Sequence, residues 1–90
     1  MRSATQEEQA LAEQLERLIG RMVESPQDVH IQAIPQRSMT VFRASVARHD
    51  LGKVIGRQGR TVRALRQILE ARAELDERRY DLEIHEPEKH

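Results

Sequence analysis

The sequence predicts an α+β fold in which three helices cover one face of a three-stranded mixed sheet. Three observations lead to this prediction. Apolar residues recur at helical spacing near the N-terminus, two segments of alternating apolar residues follow close together, and a helix-rich segment separates them from a third. Ninety residues suffice for one small core. We therefore expect one domain over residues 1–86 and a flexible tail over residues 87–90.

The first helix is predicted over residues 5–24. Thr5 and Glu8 have the spacing of a capping box, in which a hydroxyl and a carboxylate bond the first free amides of a helix. Ser25-Pro26 ends the helix, because a proline ring disfavours helical geometry in the residue before it. The apolar stripe of this helix comprises Leu11, Leu15, Leu18, Ile19, Met22 and Val23.

Two strands are predicted next, over residues 28–34 and 39–47, because apolar and polar residues alternate there. The short turn Pro35-Gln36-Arg37-Ser38 between them makes them an antiparallel hairpin. The positions predicted to face the core are Val29, Ile31 and Ala33 in the first strand, and Thr40, Phe42, Ala44 and Val46 in the second.

Two further helices are predicted over residues 51–55 and 60–75, the first with Asp50 as its N-cap. A last strand follows over residues 79–85. Two helices between two strands of one sheet form a crossover, which strongly favours a right-handed parallel arrangement. The strand at 39–47 is therefore expected to be central in a mixed sheet.

Composition excludes several classes of protein. The absence of cysteine rules out disulfides and thiolate metal sites and favours the reducing cytoplasm. No apolar run has the length of a membrane span or of a signal peptide. The histidines have no metal-binding spacing, and no nucleophile motif or P-loop is present. We expect no catalysis, no metal and no cofactor.

Charge is distributed unevenly along a chain whose formal net charge is zero. Residues 37–79 carry eleven basic residues against five acidic ones, whereas residues 1–36 carry three against six. Residues 51–66 contain five cations and no acid. A local cationic segment on a neutral protein favours a small, defined anion site. Charge alone does not distinguish such a site from solvated helix arginines.

The most informative segment is Gly56-Arg57-Gln58-Gly59, which lies between the two predicted helices. We call it the glycine loop. Glycines permit backbone angles closed to other residues and let a ligand approach the main chain. The following helix presents its positive N-terminal end to the loop. The alternative is a helix connection without a ligand.

The segment resembles the signature of the KH family, in which two aliphatic residues precede a glycine, two variable residues and a second glycine. The preceding Leu51-Gly52-Lys53 resembles the lead-in of small bacterial KH proteins of the KhpA type, and the element order agrees with type II KH topology. The resemblance implies single-stranded RNA binding in a groove for about four nucleotides. It also implies a role as an RNA chaperone or post-transcriptional regulator, in a family linked with cell shape, and pairing with a second KH-containing RNA-binding protein.

The resemblance assigns Gly56, Arg57, Gln58 and Gly59 to the loop that holds the RNA backbone. Further cations are expected to neutralise phosphates, and nearby aliphatic residues are expected to be partly core and partly groove floor. The cations are Lys53, Arg60 and Arg63, and the aliphatic residues are Val54, Ile55 and Val62.

Three alternatives remain open from the sequence. They are a homodimer, which would add burial to a small domain, a protein-interaction module that keeps the fold without RNA, and a ribosome-assembly factor. Phe42 and Tyr80, the only aromatic residues, alternate with core positions. They are therefore expected to be buried and not to stack on bases, so RNA affinity is expected to be modest.

Overall fold

A computed structural model describes residues 3–85 of the chain, and the tail predicted over residues 87–90 lies outside them. Single turns of 3₁₀-helix lie before the first strand, before the second α-helix and between the last two α-helices, at Pro26–Asp28, Arg48–Asp50 and Arg57–Gly59. The α-helices and strands are, in chain order, α1 (Gln6–Gly20), β1 (His30–Pro35), β2 (Thr40–Ser45), α2 (Leu51–Ile55), α3 (Arg60–Asp76) and β3 (Tyr80–His85).

The three strands form one mixed sheet in the order β1-β2-β3. β1 runs antiparallel to β2, with Ala33 opposite Phe42, and β2 runs parallel to β3, with Phe42 opposite Leu82. Parallel neighbours need a long connection, and here α2 and α3 supply it. The predicted α+β class, the mixed sheet and the central position of β2 are confirmed.

The core lies between the sheet and the helices and is centred on Phe42, whose side chain is fully buried. Its ring meets the ring of Tyr80 edge to face, with centroids 5.2 Å apart. Both aromatic residues are buried, as predicted. The Tyr80 hydroxyl donates a 2.7 Å hydrogen bond to Asp76. Burial, followed by this bond, raises the pKa of Tyr80 above its ordinary value.

The first helix ends at Gly20 and not at residue 24 as predicted. The amides of Arg21 and Met22 bond to the carbonyls three residues earlier, so the last turn tightens and the helix stops. Met22 and Val23 still pack against the core, which explains why the apolar stripe continues past the helix. The apolar stripe therefore marks core contacts that continue beyond the last helical residue.

The first strand begins at His30, two residues later than predicted, because Pro26–Asp28 forms a single 3₁₀ turn. The amide of Val29 is bonded to the carbonyl of Pro26 in that turn and is not available to the sheet. This strand also extends one residue further, to Pro35. The predicted range 39–47 for β2 is one residue too long at its start and two residues too long at its end. The predicted range 79–85 for β3 starts one residue early, and α3 extends one residue beyond the predicted 75.

Replacing Phe42 with alanine is expected to lower the free energy of unfolding by about 3–5 kcal/mol, because it removes a large buried side chain from the centre of the core. Chemical denaturation of the two proteins measures this difference. Arg43→Ala, next in sequence and exposed, is the control and is expected to change stability little. Equal losses for the two variants would contradict the placement of Phe42 in the core.

Candidate nucleic-acid interface

The crossover from β2 to β3 places the glycine loop between two helices that are each anchored in the core. Val54 on α2 is completely buried, and α3 buries Leu65 and Leu69. The loop follows α2 directly, and its last three residues form the single 3₁₀ turn before α3. Two anchored helices therefore fix both ends of a four-residue connection.

Three of the four residues of the loop have a positive φ. Gly56 has φ +80° and ψ 167°, in a region essentially restricted to glycine. Gly59 has φ +74° and ψ 16°, in the left-handed region. Gln58 also has a positive φ, +56°, although it is not glycine. The sequence predicts the unusual angles of the glycines but gives no signal for that of Gln58.

Two of the four loop amides already have backbone acceptors. The amide of Gly56 donates to the carbonyl of Gly52 at 2.8 Å, and that of Gly59 donates to the carbonyl of Gly56 at 3.1 Å. Among the hydrogen bonds of residues 3–85, the amides of Arg57 and Gln58 have no acceptor. The loop can therefore offer an anion two backbone donors, beside the positive end of the 17-residue helix α3.

The cations near the loop differ in how they are paired. Arg57 and Arg60 are exposed, and neither side chain has a carboxylate partner in the described part of the chain. The Arg63 guanidinium donates a long, 3.4 Å hydrogen bond to the carbonyl of Gln58. Lys53 is paired, because its ammonium lies 2.7 Å from Glu24 Oε1. The guanidiniums of Arg57 and Arg60 thus have no carboxylate partner in the described residues, whereas the ammonium of Lys53 is paired with a carboxylate.

The aliphatic residues predicted as groove floor have different exposures. Val54 is inaccessible and belongs to the core. Ile55 is 41% exposed and Val62 is half-buried, so these two can present apolar surface to a ligand. Val54 is thus core, as predicted for part of this set, and the groove-floor role of the others stays a prediction.

Asp50 does not cap α2 as predicted, since its side chain makes no capping hydrogen bond there. Its buried carboxylate instead accepts from the amides of Glu24 and Ser25, each at 3.0 Å. Burial alone would raise the pKa of Asp50, but these two amides, with smaller effects of His49 and Lys53, hold it below its ordinary value. Asp50 therefore ties the segment after α1 to the start of α2.

Glu24 and Arg66 make long-range contacts that were not identified from the sequence. Glu24 pairs with Lys53, which lies 29 residues further along. Arg66 donates a 3.1 Å hydrogen bond to the carbonyl of Leu82 on β3. Both contacts join residues that are distant in sequence, and periodicity carries no signal for such contacts.

One group of side chains in residues 3–85 has ligand atoms close enough to hold a metal ion, namely Glu24, His49 and Asp50. The Lys53 ammonium already lies 2.7 Å from the Glu24 carboxylate and 3.9 Å from that of Asp50. It supplies the positive charge that a metal would bring. The absence of a metal site remains a prediction.

The element order, the parallel β2–β3 pair and the glycine loop between α2 and α3 define a KH domain of type II topology. The family described as "KhpA/KhpB, KH domain" matches residues 12–84. The chain belongs to this family, which agrees with the prediction that it is not an enzyme. No helix in residues 3–85 has the length and apolar character needed to cross a membrane.

Curated relatives carry the name RNA-binding protein KhpA. The protein from Treponema pallidum is 40% identical over 75 residues, which cover 82% of this chain and 94% of the relative. The one from Streptomyces coelicolor is 46% identical over 61 residues, covering 68% and 77%. The one from Chlamydia trachomatis is 33% identical over 69 residues, covering 77% and 88%.

The two glycines of the loop are expected to respond differently to alanine. A Cβ at Gly56 would lie 2.7 Å from the Thr61 backbone nitrogen and closer still to its hydroxyl, whereas a Cβ at Gly59 meets only Val62, at 4.0 Å. Gly59→Ala is expected to cost about 1–2 kcal/mol of stability for the left-handed angle, and Gly56→Ala more. Gly52→Ala, where a Cβ meets nothing within 4 Å, is the control and is expected to gain about 0.5–1 kcal/mol. Thermal denaturation of the three variants gives the order of their stabilities.

Stability is expected to fall at acid pH, partly through Asp50. Its folded pKa lies below the ordinary value of 3.8, so its stabilisation is present above that pH and is lost as the pH falls through the folded value. Three other carboxyls, those of Glu24, Asp76 and Glu83, are shifted in the same direction. Melting temperatures between neutral and acid pH should therefore decline less steeply for Asp50→Asn than for the wild type. Identical slopes would contradict the role of Asp50.

Proposed function

We propose that this protein binds single-stranded RNA through the glycine loop, with residues 1–86 acting as one domain. The observation that carries the proposal is the pair of unbonded amides at Arg57 and Gln58, set beside free guanidiniums at the N-terminal end of α3. Phosphate oxygens accept strong hydrogen bonds from such donors. KH domains use this loop to hold the backbone of about four nucleotides.

The cations in and around the loop are assigned to phosphates, and the accessible aliphatic residues to the floor of the groove. Gly56 and Gly59 keep the backbone open to the ligand. The phosphate contacts are Arg57, Arg60, Arg63 and Lys53, and the groove surface is formed by Ile55 and Val62 over the buried Val54.

Modest affinity and marked salt sensitivity are expected from this arrangement. Phe42 and Tyr80 are in the core, so neither provides base stacking, which is worth about 1–3 kcal/mol per base. Binding then rests largely on phosphate contacts, which weaken as salt concentration rises. Phosphate contacts carry little sequence information. The protein should therefore discriminate weakly among RNAs.

The name of the relatives supports RNA as the ligand, because each is called an RNA-binding protein. Weak, sequence-tolerant binding suits an RNA chaperone or a post-transcriptional regulator, and the location we propose is the reducing cytoplasm. A ribosome-assembly factor would use the same loop. A protein-interaction module would not need a cation between two glycines.

A second copy of the chain is the partner that we propose for α3. Its outer face exposes Ile68 and Leu75, which are 48% and 81% accessible. With the exposed Ala64 and Ala71 they follow the seven-residue spacing of a helix–helix seam. In an antiparallel pair each alanine faces a large residue of the other copy.

Changing both Arg57 and Gln58 to aspartate is expected to abolish RNA binding in a mobility-shift titration with short single-stranded RNA. Two carboxylates would repel the phosphates, and both sites are exposed, so the circular dichroism spectrum should be unchanged. The matched control is the double change of Gln36 and Arg37 to aspartate in the exposed hairpin turn at the other end of β2. Unaltered RNA affinity in the folded loop variant would refute the site.

Ile68→Glu is expected to convert a dimer to a monomer in analytical ultracentrifugation, because it places a charge in the proposed seam. Gln14→Glu, which adds the same charge on an exposed position of α1, is expected to leave the dimer intact. A wild-type chain that stays monomeric at every concentration would contradict self-association. It would leave the α3 face to a second KH-containing RNA-binding protein.

A further inference from the structure

Lys53 differs from the other cations near the glycine loop in having a carboxylate partner. Among residues 3–85, Arg57, Arg60 and Arg63 have none within ion-pair distance, whereas Lys53 Nζ lies 2.7 Å from Glu24 Oε1 and, more distantly, 3.9 Å from Asp50 Oδ1. Lys53 lies on α2, three residues before the first glycine of the loop. The ammonium closest in sequence to the loop is thus already engaged by an anion of the protein itself.

The position of Glu24 is fixed by its backbone. Its amide donates to one carboxylate oxygen of the buried Asp50, and the amide of Ser25 donates to the other. These bonds hold the segment after α1 against the start of α2, the helix that carries Lys53. The bond from Lys53 and its charge also lower the pKa of Glu24, so the carboxylate stays ionised at neutral pH.

We propose that Glu24 is an internal competitor of the RNA phosphate for Lys53, an inference that rests on the proposed function. A carboxylate and a phosphate present the same kind of anionic oxygen to an ammonium. Lys53 can contact a phosphate fully only when it leaves Glu24. The Glu24 charge also repels a phosphate that approaches the base of α2. Both effects lower the affinity for RNA.

This competition acts on any RNA, whatever its sequence, because it concerns phosphates only. It sets an upper limit on the strength with which one loop can hold a nucleotide chain. Glu24 therefore has the role of an affinity-limiting residue. Its side chain is 69% exposed, so its removal need not disturb the core.

Glu24→Gln tests the proposal, because it keeps the shape of the side chain and removes its charge. The affinity for a short single-stranded RNA, measured by fluorescence anisotropy at low salt, is expected to rise about two- to fivefold, the size of an exposed ion pair. The gain should shrink at high salt, where exposed charges are screened. Glu13→Gln is the matched control, because it makes the same charge change on an exposed position two turns before the end of α1.

A double-mutant cycle with Lys53→Gln isolates the contact between the two side chains. In the Lys53→Gln background, Glu24→Gln is expected to lose most of its gain in RNA affinity, because there is no ammonium to release. A gain of the same size with and without Lys53 would overturn the competition and leave simple charge repulsion. The Lys53 Nζ resonance of the RNA-free protein should also shift in the Glu24→Gln variant and stay in place in the Glu13→Gln variant.

The outcomes separate this proposal from the proposed function. If the double aspartate change at Arg57 and Gln58 abolishes RNA binding while Glu24→Gln binds no better than Glu13→Gln, the competition is refuted and the loop site stands. If that double change leaves RNA binding intact, the loop site itself fails. An affinity gain with an unshifted Lys53 resonance would also refute the competition.

Discussion

The parallel pairing of β2 and β3 is the constraint on which the site depends. Two parallel neighbours cannot be joined by a tight turn, so the chain leaving Ser45 must return along the sheet before it enters at Tyr80. α2 and α3 make this return, and the bend between them falls beyond the end of β2. The glycine loop is that bend. Its position follows from strand topology, and its two ends are held by the buried residues of the helices on either side.

Local patterns in the sequence predicted the order and type of the α-helices and strands of residues 3–85 but not the 3₁₀ turns between them, because amphipathic spacing reflects which face a long element buries. The same patterns misplaced the end of α1, since Met22 and Val23 pack on the core without being helical. Asp50 has the chemistry of a helix cap, and its actual donors lie 25 and 26 residues away in the chain. Contacts of that kind depend on the assembled fold, so local spacing could not reveal them.

The candidate site was predictable to the extent that its chemistry is contained in one short segment. Glycine spacing and resemblance to KH proteins pointed to the loop and to the arginines in and near it, and the structure adds which donors have no partner. Pairing of two chains through α3 would bring two such loops into one assembly, and bivalent binding multiplies weak single contacts. A limited affinity at each loop is compatible with useful retention of a long RNA that reaches both.

Arg66 and Asp81 have a consequence for the open edge of the sheet. In the parallel register the backbone groups of Leu82 point away from β2, toward solvent. The Leu82 carbonyl is covered by the Arg66 guanidinium, and its amide is bonded to the Asp81 carboxylate at 2.8 Å. An unpaired edge is a template on which a strand from another molecule can add, and such addition leads to aggregation. Here two side chains already bond the outward-facing backbone groups of Leu82 near the middle of β3, which disfavours the addition of strands from other molecules along this edge.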